Sequence, residues 1–381
     1  MKKGIQVLMI ILLINLCCTS MCYAEQGIDV DLSALEELSQ RLQEQYEYVP
    51  DMSISSLIST YKETGSMGNV FKQIIKGAAS YISKEVLESS RLLVELLFLG
   101  LLSTLLKNIQ DAFSKESVSN IGYYACFLVM VVLIIKSLTV AVGLGQATIS
   151  SMIEFTNALM PSLIVLIAAV GGYTSAATLD PIVIAAGKVM SNVIADFVLP
   201  LTLIVVVLQI VNSLSDEIKV SNLAKLLADV GKWCLGLTVT VFVAIVSIRS
   251  SISATLDQVT VKTAKFAVDT FIPVVGKALS DAISTVAGYS LVLKDALGII
   301  GLVFLITICV FPLLKIIVIA LIYKLVGAVM QPVVDSRITS CLNNVGNSLT
   351  MVFASVLSVA VIFFIIIAIV ITTGRLLTAV G

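Results

Sequence analysis

The chain has 381 residues, of which 58% are hydrophobic and 13% are charged, with a mean hydropathy of +1.05 and a formal net charge of -1. Water-soluble domains carry about 25% charged residues, so this composition excludes an ordinary soluble protein. The absence of histidine excludes imidazole general bases, Ser-His nucleophiles and HExxH zinc sites. The near-neutral charge argues against the basic patch of a nucleic-acid-binding protein. The composition therefore predicts a polytopic membrane protein.

The first 24 residues have the three parts of a secretory signal peptide. Lys2 and Lys3 precede an apolar stretch from Ile5 to Leu16, and Cys22-Tyr23-Ala24 supplies the small residues of a cleavage site. We predict cleavage after Ala24, with an uncleaved first transmembrane helix as the alternative. In both cases the segment that follows is expected to be exported.

Residues 25–90 have the composition of water-soluble, amphipathic helices. One apolar stripe consists of Leu32, Leu35, Leu38 and Leu42. A second stripe, flanked by lysines, consists of Phe71, Ile74, Ile75, Ala78 and Ile82. The second stripe predicts a helix that lies in the membrane interface. Because about 65 residues bury too small a core to fold alone, this exported helical segment is expected to pack on a partner, the membrane or the rest of the chain.

Residues 91–381 alternate long apolar segments with short polar ones, which predicts a multi-pass membrane domain. The apolar segments cover approximately residues 92–106, 118–135, 155–170, 182–210, 233–248, 296–314, 316–334 and 348–374. Segments of this length cross a bilayer as helices, because lipid leaves backbone groups no other partner. The predicted fold is therefore all-α, with seven to eight transmembrane helices.

Residues 255–290 differ from these segments because they carry several charges and a helix break. A helix, a break at Phe271-Ile272-Pro273-Val274-Val275-Gly276 and a second helix predict a re-entrant or interfacial hairpin. The candidate gate residues in this hairpin are Lys265, Phe271, Pro273, Gly276 and Asp281. The alternative is an interfacial loop that covers one end of the helix bundle.

Few ionisable residues lie deep within the predicted spans. Lys188 and Asp196 are eight residues apart in one span, about 12 Å along a helix axis, and Lys324 is central in another. A charge in lipid is costly unless it faces the bundle interior. We therefore predict that these three residues form a polar track, with Asp196 as the first candidate partner of Lys324. A purely structural ion pair between helices is the alternative.

An Asn or Asp lies four residues before each of three prolines, Pro161, Pro200 and Pro273. A proline leaves a backbone carbonyl without its helical partner, and transporters with broken helices use such carbonyls to bind ions or substrates. The pattern predicts kinked helices with freed carbonyls. A chance match competes with an internal repeat as its origin.

The sequence offers no recognisable catalytic or metal-binding motif. It has no GxxxxGK[ST] phosphate-binding loop, and its seven cysteines lack metal-ligand spacing. Unpaired cysteines commonly act as small buried hydrophobic residues. We therefore predict that the chain is not an enzyme and has no catalytic residue, cofactor or metal ion.

Several motifs of the membrane part resemble the stage III sporulation protein AE family of endospore-forming Firmicutes. These are Asn222 to Leu227, Thr263-Ala264-Lys265-Phe266, Phe271-Ile272-Pro273-Val274 with Gly276 and Asp281, Ile322 to Leu325, and Gln331-Pro332. The resemblance extends over residues 91–381. It implies a multi-pass protein of the mother-cell membrane that surrounds the forespore. It also implies partners from one operon: a secretion-type ATPase, ring-forming proteins and a forespore-side channel protein, with a membrane insertase for biogenesis.

The resemblance and the charge pattern together give three functional hypotheses. The first is a channel- or permease-like subunit of a transenvelope complex needed for late forespore development, with the polar track as its path and the hairpin as its gate. The second is a non-conducting membrane scaffold that anchors the rings and the ATPase, and the third is a stand-alone small-solute transporter. A conducting bundle should gather its charges on one lumen, a scaffold should pair and bury them, and a solid core would count against a transporter.

Overall fold

A computed structural model describes residues 67–113, 116–172, 175–214, 220–271 and 276–373, together with residues 36, 37, 40, 41 and 57. The backbone alone is described at residues 110–113, 116–121, 123, 178, 179, 253–271, 276–284 and 286. The predicted signal peptide and most of the predicted exported segment lie outside the described residues.

The long elements are all helices, as the sequence predicts. They are α1 (Gly68–Phe113), α2 (Glu116–Ala169), α3 (Asp180–Val193), α4 (Leu199–Leu214), α5 (Ser221–Phe271), α6 (Gly276–Met330) and α7 (Ser336–Thr372). Two π-helical turns, Ser175–Leu179 and Ile194–Val198, precede and follow α3. The residues from 175 to 214 therefore form one continuous helical segment, and the predicted all-α membrane fold is confirmed.

Within the described residues, six helical segments are long and apolar enough to cross a membrane. They are Gly68–Ile109, Tyr124–Ala169, Ser175–Leu214, Ser221–Ile252, Ala287–Met330 and Ser336–Thr372. The eight predicted apolar segments fall on these six because two neighbouring pairs each share one helix, α2 and α6. In α6 the helix continues through Lys315, whose ammonium lies 3.5 Å from the carboxylate of Glu85 in α1. Its charge is thus paired inside the bundle, without a break in the helix.

Helix α1 runs without interruption through residues 90 and 91, where the sequence places a domain boundary. Ile74 and Glu85, from the part assigned to the exported segment, are buried against the remaining helices. The N-terminal half of α1 thus packs on the membrane domain.

Contacts along α6 define the directions of its neighbours. The hydroxyl of Tyr323 donates a hydrogen bond to Oγ of Ser137 in α2 (3.0 Å), and Phe304 stacks on Phe155 with 6.0 Å between ring centroids. Helix α2 is therefore antiparallel to α6.

Helix α7 is antiparallel to α6 as well. Gly298 of α6 packs against Ile371, near the end of α7, whereas Gly327 packs against Asn343, near its start. We call the two ends of the bundle the Thr373 end and the Asp335 end, after the residues that flank α7.

Helices α6 and α7 occupy the centre of the bundle. In their most apolar stretches 67% and 56% of the residues are buried, against 17% in α1 and α5. The central side chains include Phe311, Ile316 and Tyr323 of α6 and Val352 and Phe363 of α7, each at most 1% exposed. The axis of the bundle is therefore filled with side chains, and the more exposed helices present apolar faces that suit lipid.

Both π-helical turns end two residues before a proline. Ser175–Leu179 precedes Pro181, and Ile194–Val198 precedes Pro200. A π-helical turn bonds each N–H to the carbonyl five residues earlier, and such turns are common at functional sites. In both cases a proline therefore lies just after a π-helical irregularity of this segment.

The second turn shows where the freed carbonyl goes. The N–H of Leu199 donates to the carbonyl of Ile194, and Pro200 has no N–H for the next carbonyl, that of Ala195. The side-chain amide of Gln146 in α2 donates to the Ala195 carbonyl at 3.1 Å. Here the freed carbonyl is satisfied within the protein.

The predicted hairpin at residues 255–290 falls on extensions of two spanning helices, and it stays a prediction because residues 272–275 between them lie outside the described residues. Helix α5 continues beyond Ile252 to Phe271, and α6 begins at Gly276, ahead of its spanning part at Ala287. The two extensions leave the bundle at the Thr373 end.

Candidate functional site

Charged side chains from several helices meet inside the bundle at its Thr373 end. They are Asp180 at the start of α3, Arg249 of α5, and Lys294 and Asp295 of α6, next to Thr373 after α7. We call these five residues the ion cluster. Asp180 is 1% exposed, Arg249 7% and Lys294 0%. Because a buried charge is strongly unfavourable unless it is paired, the arrangement of their partners is the informative feature.

Asp180 and Arg249 form the first part of the ion cluster. Nη2 of Arg249 donates to the Asp180 carboxylate and, at 2.7 Å, to the hydroxyl of Thr373. Asp180 opens α3 directly after the π-helical turn Ser175–Leu179. One guanidinium thus joins α3, α5 and the end of α7.

Lys294 forms the second part. Its ammonium donates to the backbone carbonyls of Ile371 (2.8 Å) and Thr373, and lies 3.6 Å from the carboxylate of Asp295. The last carbonyls of a helix have no intrahelical donor, and a cation there is favoured by the helix dipole. Lys294 therefore caps the C-terminal end of α7 with a side chain from α6.

The ion cluster holds two cations and two carboxylates, in contact with the negative end of the α7 dipole. Its charges are therefore balanced by one another and by backbone carbonyls. Among the described residues no group of three or more His, Cys, Asp or Glu side chains is placed to hold a metal ion. The arrangement is suited to fastening helices together, because removing one partner would leave another charge buried.

The other end of α7 is capped by Asp335. Its carboxylate accepts a hydrogen bond from the backbone N–H of Arg337 at 2.9 Å and also pairs with the ammonium of Lys107 in α1. Partial burial opposes ionisation of Asp335, but these hydrogen bonds outweigh it and hold the pKa of the carboxyl below its usual value. Both ends of α7 are thus capped by charged side chains.

A fourth ion pair lies between the two ends of the bundle. The Glu85 side chain of α1 is 4% exposed, and its carboxylate lies 3.5 Å from the Lys315 ammonium of α6. Together with the pair of Lys107 and Asp335, it fastens α1 to the centre of the bundle.

The three residues of the predicted polar track do not meet. Lys188 and Asp196 are exposed on the outer surface of residues 175–214, and Lys324 is half-buried against Gly346 of α7. No ion pair joins Lys324 to Asp196, although both belong to the described part of the chain. The pairing that the sequence favoured is therefore not formed, and a role of these residues in conduction stays a prediction.

The candidate gate residues lie in the extensions of α5 and α6. Lys265 and Asp281 are on helical backbone, Phe271 ends α5 and Gly276 begins α6. Pro273 lies outside the described residues. Their role as a gate stays a prediction.

Sequence reasoning missed the ion cluster because Asp180, Arg249 and Lys294 lie at the ends of apolar segments, where charges usually reach water. The sequence nevertheless held a signal, because these charges directly adjoin long uncharged apolar segments. Arg249 directly follows residues 233–248, which hold no charge, and Lys294-Asp295 directly precedes the uncharged residues 296–314.

Comparison with known proteins matches the chain to the family model for stage III sporulation protein AE over residues 52–374. The chain is 34% identical over 302 residues to the stage III sporulation protein AE of Bacillus subtilis (strain 168), which covers 79% of this chain and 76% of that relative. No solved structure matches the chain. The matched region includes helices α1 to α7 of the described residues and the ion cluster.

Proposed function

Because the chain belongs to the stage III sporulation protein AE family and its described residues include six helices able to cross a membrane, we propose that it is a membrane scaffold of the sporulation complex that links mother cell and forespore. In this role it does not conduct. It anchors the ring-forming proteins and the secretion-type ATPase in the mother-cell membrane around the forespore, next to the forespore-side channel protein.

The observation that carries this proposal is the filled centre of the bundle. The side chains of Phe311, Ile316 and Tyr323 lie along α6 with no exposed surface, and the buried charges are engaged in pairs or caps. A conducting bundle gathers charges on a water-filled path, whereas a scaffold pairs and buries them. The filled centre also counts against a stand-alone small-solute transporter.

The test separates assembly from conduction in sporulating cells. Asp196 and Lys324 are replaced by Leu, singly and together, and the readouts are co-purification of the complex and the yield of heat-resistant spores. The scaffold proposal expects all three variants to assemble and to sporulate as the wild type does. Asp180→Ala is the control that disrupts the structure. It is expected to lose complex assembly and heat-resistant spores together, because it leaves Arg249 buried without its carboxylate.

A second candidate is a channel-like subunit whose path runs between copies of the chain or along a partner. It is supported by the position of Lys188 and Asp196, which are charged yet exposed on the outer surface of a spanning segment. Charges at such positions are costly in lipid unless water or protein covers them. Loss of spores in the Leu variants while the complex still assembles would overturn the scaffold proposal and favour this candidate.

A further inference from the structure

A polar groove opens between α4, α5 and α7 toward the Asp335 end of the bundle. Its volume is about 370 Å³. The polar side chains that matter in its wall are Gln209 of α4, Lys225, Asp229 and Lys232 of α5, and Asn344 and Asn347 of α7. Two lysines and one carboxylate give the groove one net positive charge. The ammonium of Lys232 donates to the Asp229 carboxylate at 3.0 Å, so Lys225 supplies the excess positive charge. Such a groove fits an anionic group that also offers hydrogen-bonding atoms.

An apolar groove continues from the polar one along α5, and the two share Lys232. It has a volume of about 530 Å³ and is lined by Trp233, Gly236 and Val241, among others. Trp233 is the only tryptophan of the sequence and is 77% exposed. Gly236 leaves open space, because an added Cβ there would meet no heavy atom within 4 Å. This exposed, mainly apolar surface suits a hydrocarbon chain.

At the junction of the two grooves, the charged parts of α5 and α7 give way to uncharged, apolar parts, and α4 is uncharged throughout. Helix α5 has no charged residue from Trp233 to Ile248, α7 has none after Arg337, and α4 has none at all. Exposed tryptophan is typical of the boundary between headgroups and hydrocarbon. The polar groove is therefore at headgroup level, and the apolar groove enters the hydrocarbon layer.

Gln209 narrows the chemistry of the occupant. Its Oε1 atom is buried and accepts no hydrogen bond within the described part of the protein. A buried acceptor without a donor is unfavourable, and a hydroxyl group that enters the polar groove would satisfy it. A phosphate beside lysines, a hydroxyl donor and an acyl chain are the parts of a phospholipid with a polyol headgroup.

We propose that the two grooves together bind one anionic phospholipid of the phosphatidylglycerol class. The phosphate lies by Lys225 and Lys232, a headgroup hydroxyl donates to Gln209, and one acyl chain lies along α5 beside Trp233. The assignment is independent of whether the chain conducts or only anchors partners.

The single tryptophan makes this site directly measurable. The full chain is reconstituted in vesicles of phosphatidylcholine in which a fixed fraction is replaced by acyl-brominated phosphatidylglycerol or, in parallel, by acyl-brominated phosphatidylcholine. Bromine quenches tryptophan only at short range. Because one net charge near a membrane surface changes partition by about fivefold, half-maximal quenching is expected at an approximately fivefold lower fraction of the anionic lipid.

Variants identify the groove as the origin of this preference. Lys225→Gln with Lys232→Gln is expected to abolish it, whereas Lys188→Gln, at an exposed lysine outside both grooves, is expected to preserve it. Gly236→Leu fills the apolar groove without altering a charge and is expected to abolish the excess quenching as well. Since Lys225, Lys232 and Gly236 are exposed, the core is left intact, and a monodisperse gel-filtration peak checks this.

Three results would overturn the proposal: equal quenching by both brominated lipids in the wild type, a preference that survives in both groove variants, or complete reversal by soluble glycerol phosphate. The last would assign the polar groove to a free phosphate compound. Unchanged quenching in excess glycerol phosphate supports the lipid, because the acyl chain then contributes to binding.

Discussion

The two ends of α7 are both capped by charged side chains, but in different surroundings. At the start of the helix, Asp335 bonds to the backbone of Arg337 and pairs with Lys107, whose side chain is 45% exposed. At the end, Lys294 has no exposed surface and donates to the last carbonyls, next to Arg249 and its partner. The first cap is reached by water and the second is not.

Access to water, more than the number of contacts, therefore determines how much an ionic cap contributes to the free energy of unfolding. Water can replace a lost partner of Asp335, so its pair contributes modestly. Water cannot easily replace a partner in the ion cluster, so each loss there leaves a buried charge or carbonyl unsatisfied. Three substitutions test this contrast, in order of decreasing effect.

Asp180→Ala is expected to have the largest effect. It leaves the Arg249 guanidinium buried without its carboxylate, which is destabilising by about 3–5 kcal/mol. The free energy of unfolding is measured by SDS titration in mixed micelles, followed by circular dichroism. The double variant Asp180→Leu with Arg249→Leu removes both charges and should recover most of the loss. A loss below about 1 kcal/mol in the single variant would indicate that water reaches the ion cluster.

Lys294→Met is expected to come second. The carbonyls of Ile371 and Thr373 lose their donor while the packing volume is nearly kept, and the expected loss is about 2–3 kcal/mol by the same titration. Lys188→Met is the matched control, because Lys188 is exposed and should change stability by less than about 0.5 kcal/mol. Equal effects of the two variants would contradict a buried cap at the end of α7.

Asp335→Ala is expected to have the smallest effect, about 1 kcal/mol, because it removes the N-cap hydrogen bond of α7. Asp335→Asn keeps an acceptor and should lose less at neutral pH. The folded-state pKa of Asp335 lies below its unfolded value, so its ionic contribution is complete above the unfolded pKa and is lost as pH falls through the folded pKa.

Titrations from pH 7 to pH 3 therefore serve as the second readout for Asp335. The wild type is expected to lose part of its advantage over Asp335→Asn below about pH 4, the range of an ordinary aspartate. A difference between the two proteins that is constant with pH would contradict the ionic part of this cap.

The sequence carried the membrane class, the all-α fold and the family resemblance, because these depend on composition, on segment length and on local motifs. The sequence did not show that two pairs of neighbouring apolar segments each belong to one helix, so that eight segments form six spanning helices. Lys315 interrupts an apolar run but is compatible with a helix interior. Its pairing with Glu85, 230 residues away in the chain, cannot be read from local spacing.

The candidate site was less predictable for a related reason. Residue spacing within one helix pointed to Lys188 and Asp196, but their helix turns them outward, and a π-helical turn lies at Asp196. The ion cluster unites Asp180, Arg249 and Lys294 from three separate helices. Such contacts are set by how helices align against one another, and spacing within a single helix holds no information about that.

The uninterrupted continuation of α5 and α6 past the bundle has a mechanical consequence. From Ile252 to Phe271 the α5 extension is about 28 Å long. It begins three residues beyond Arg249. The α6 extension has its base close to Lys294. The two cations that hold the end of α7 therefore belong to the same continuous helices as the two extensions, so a displacement of either extension moves a helix that also carries one of these cations.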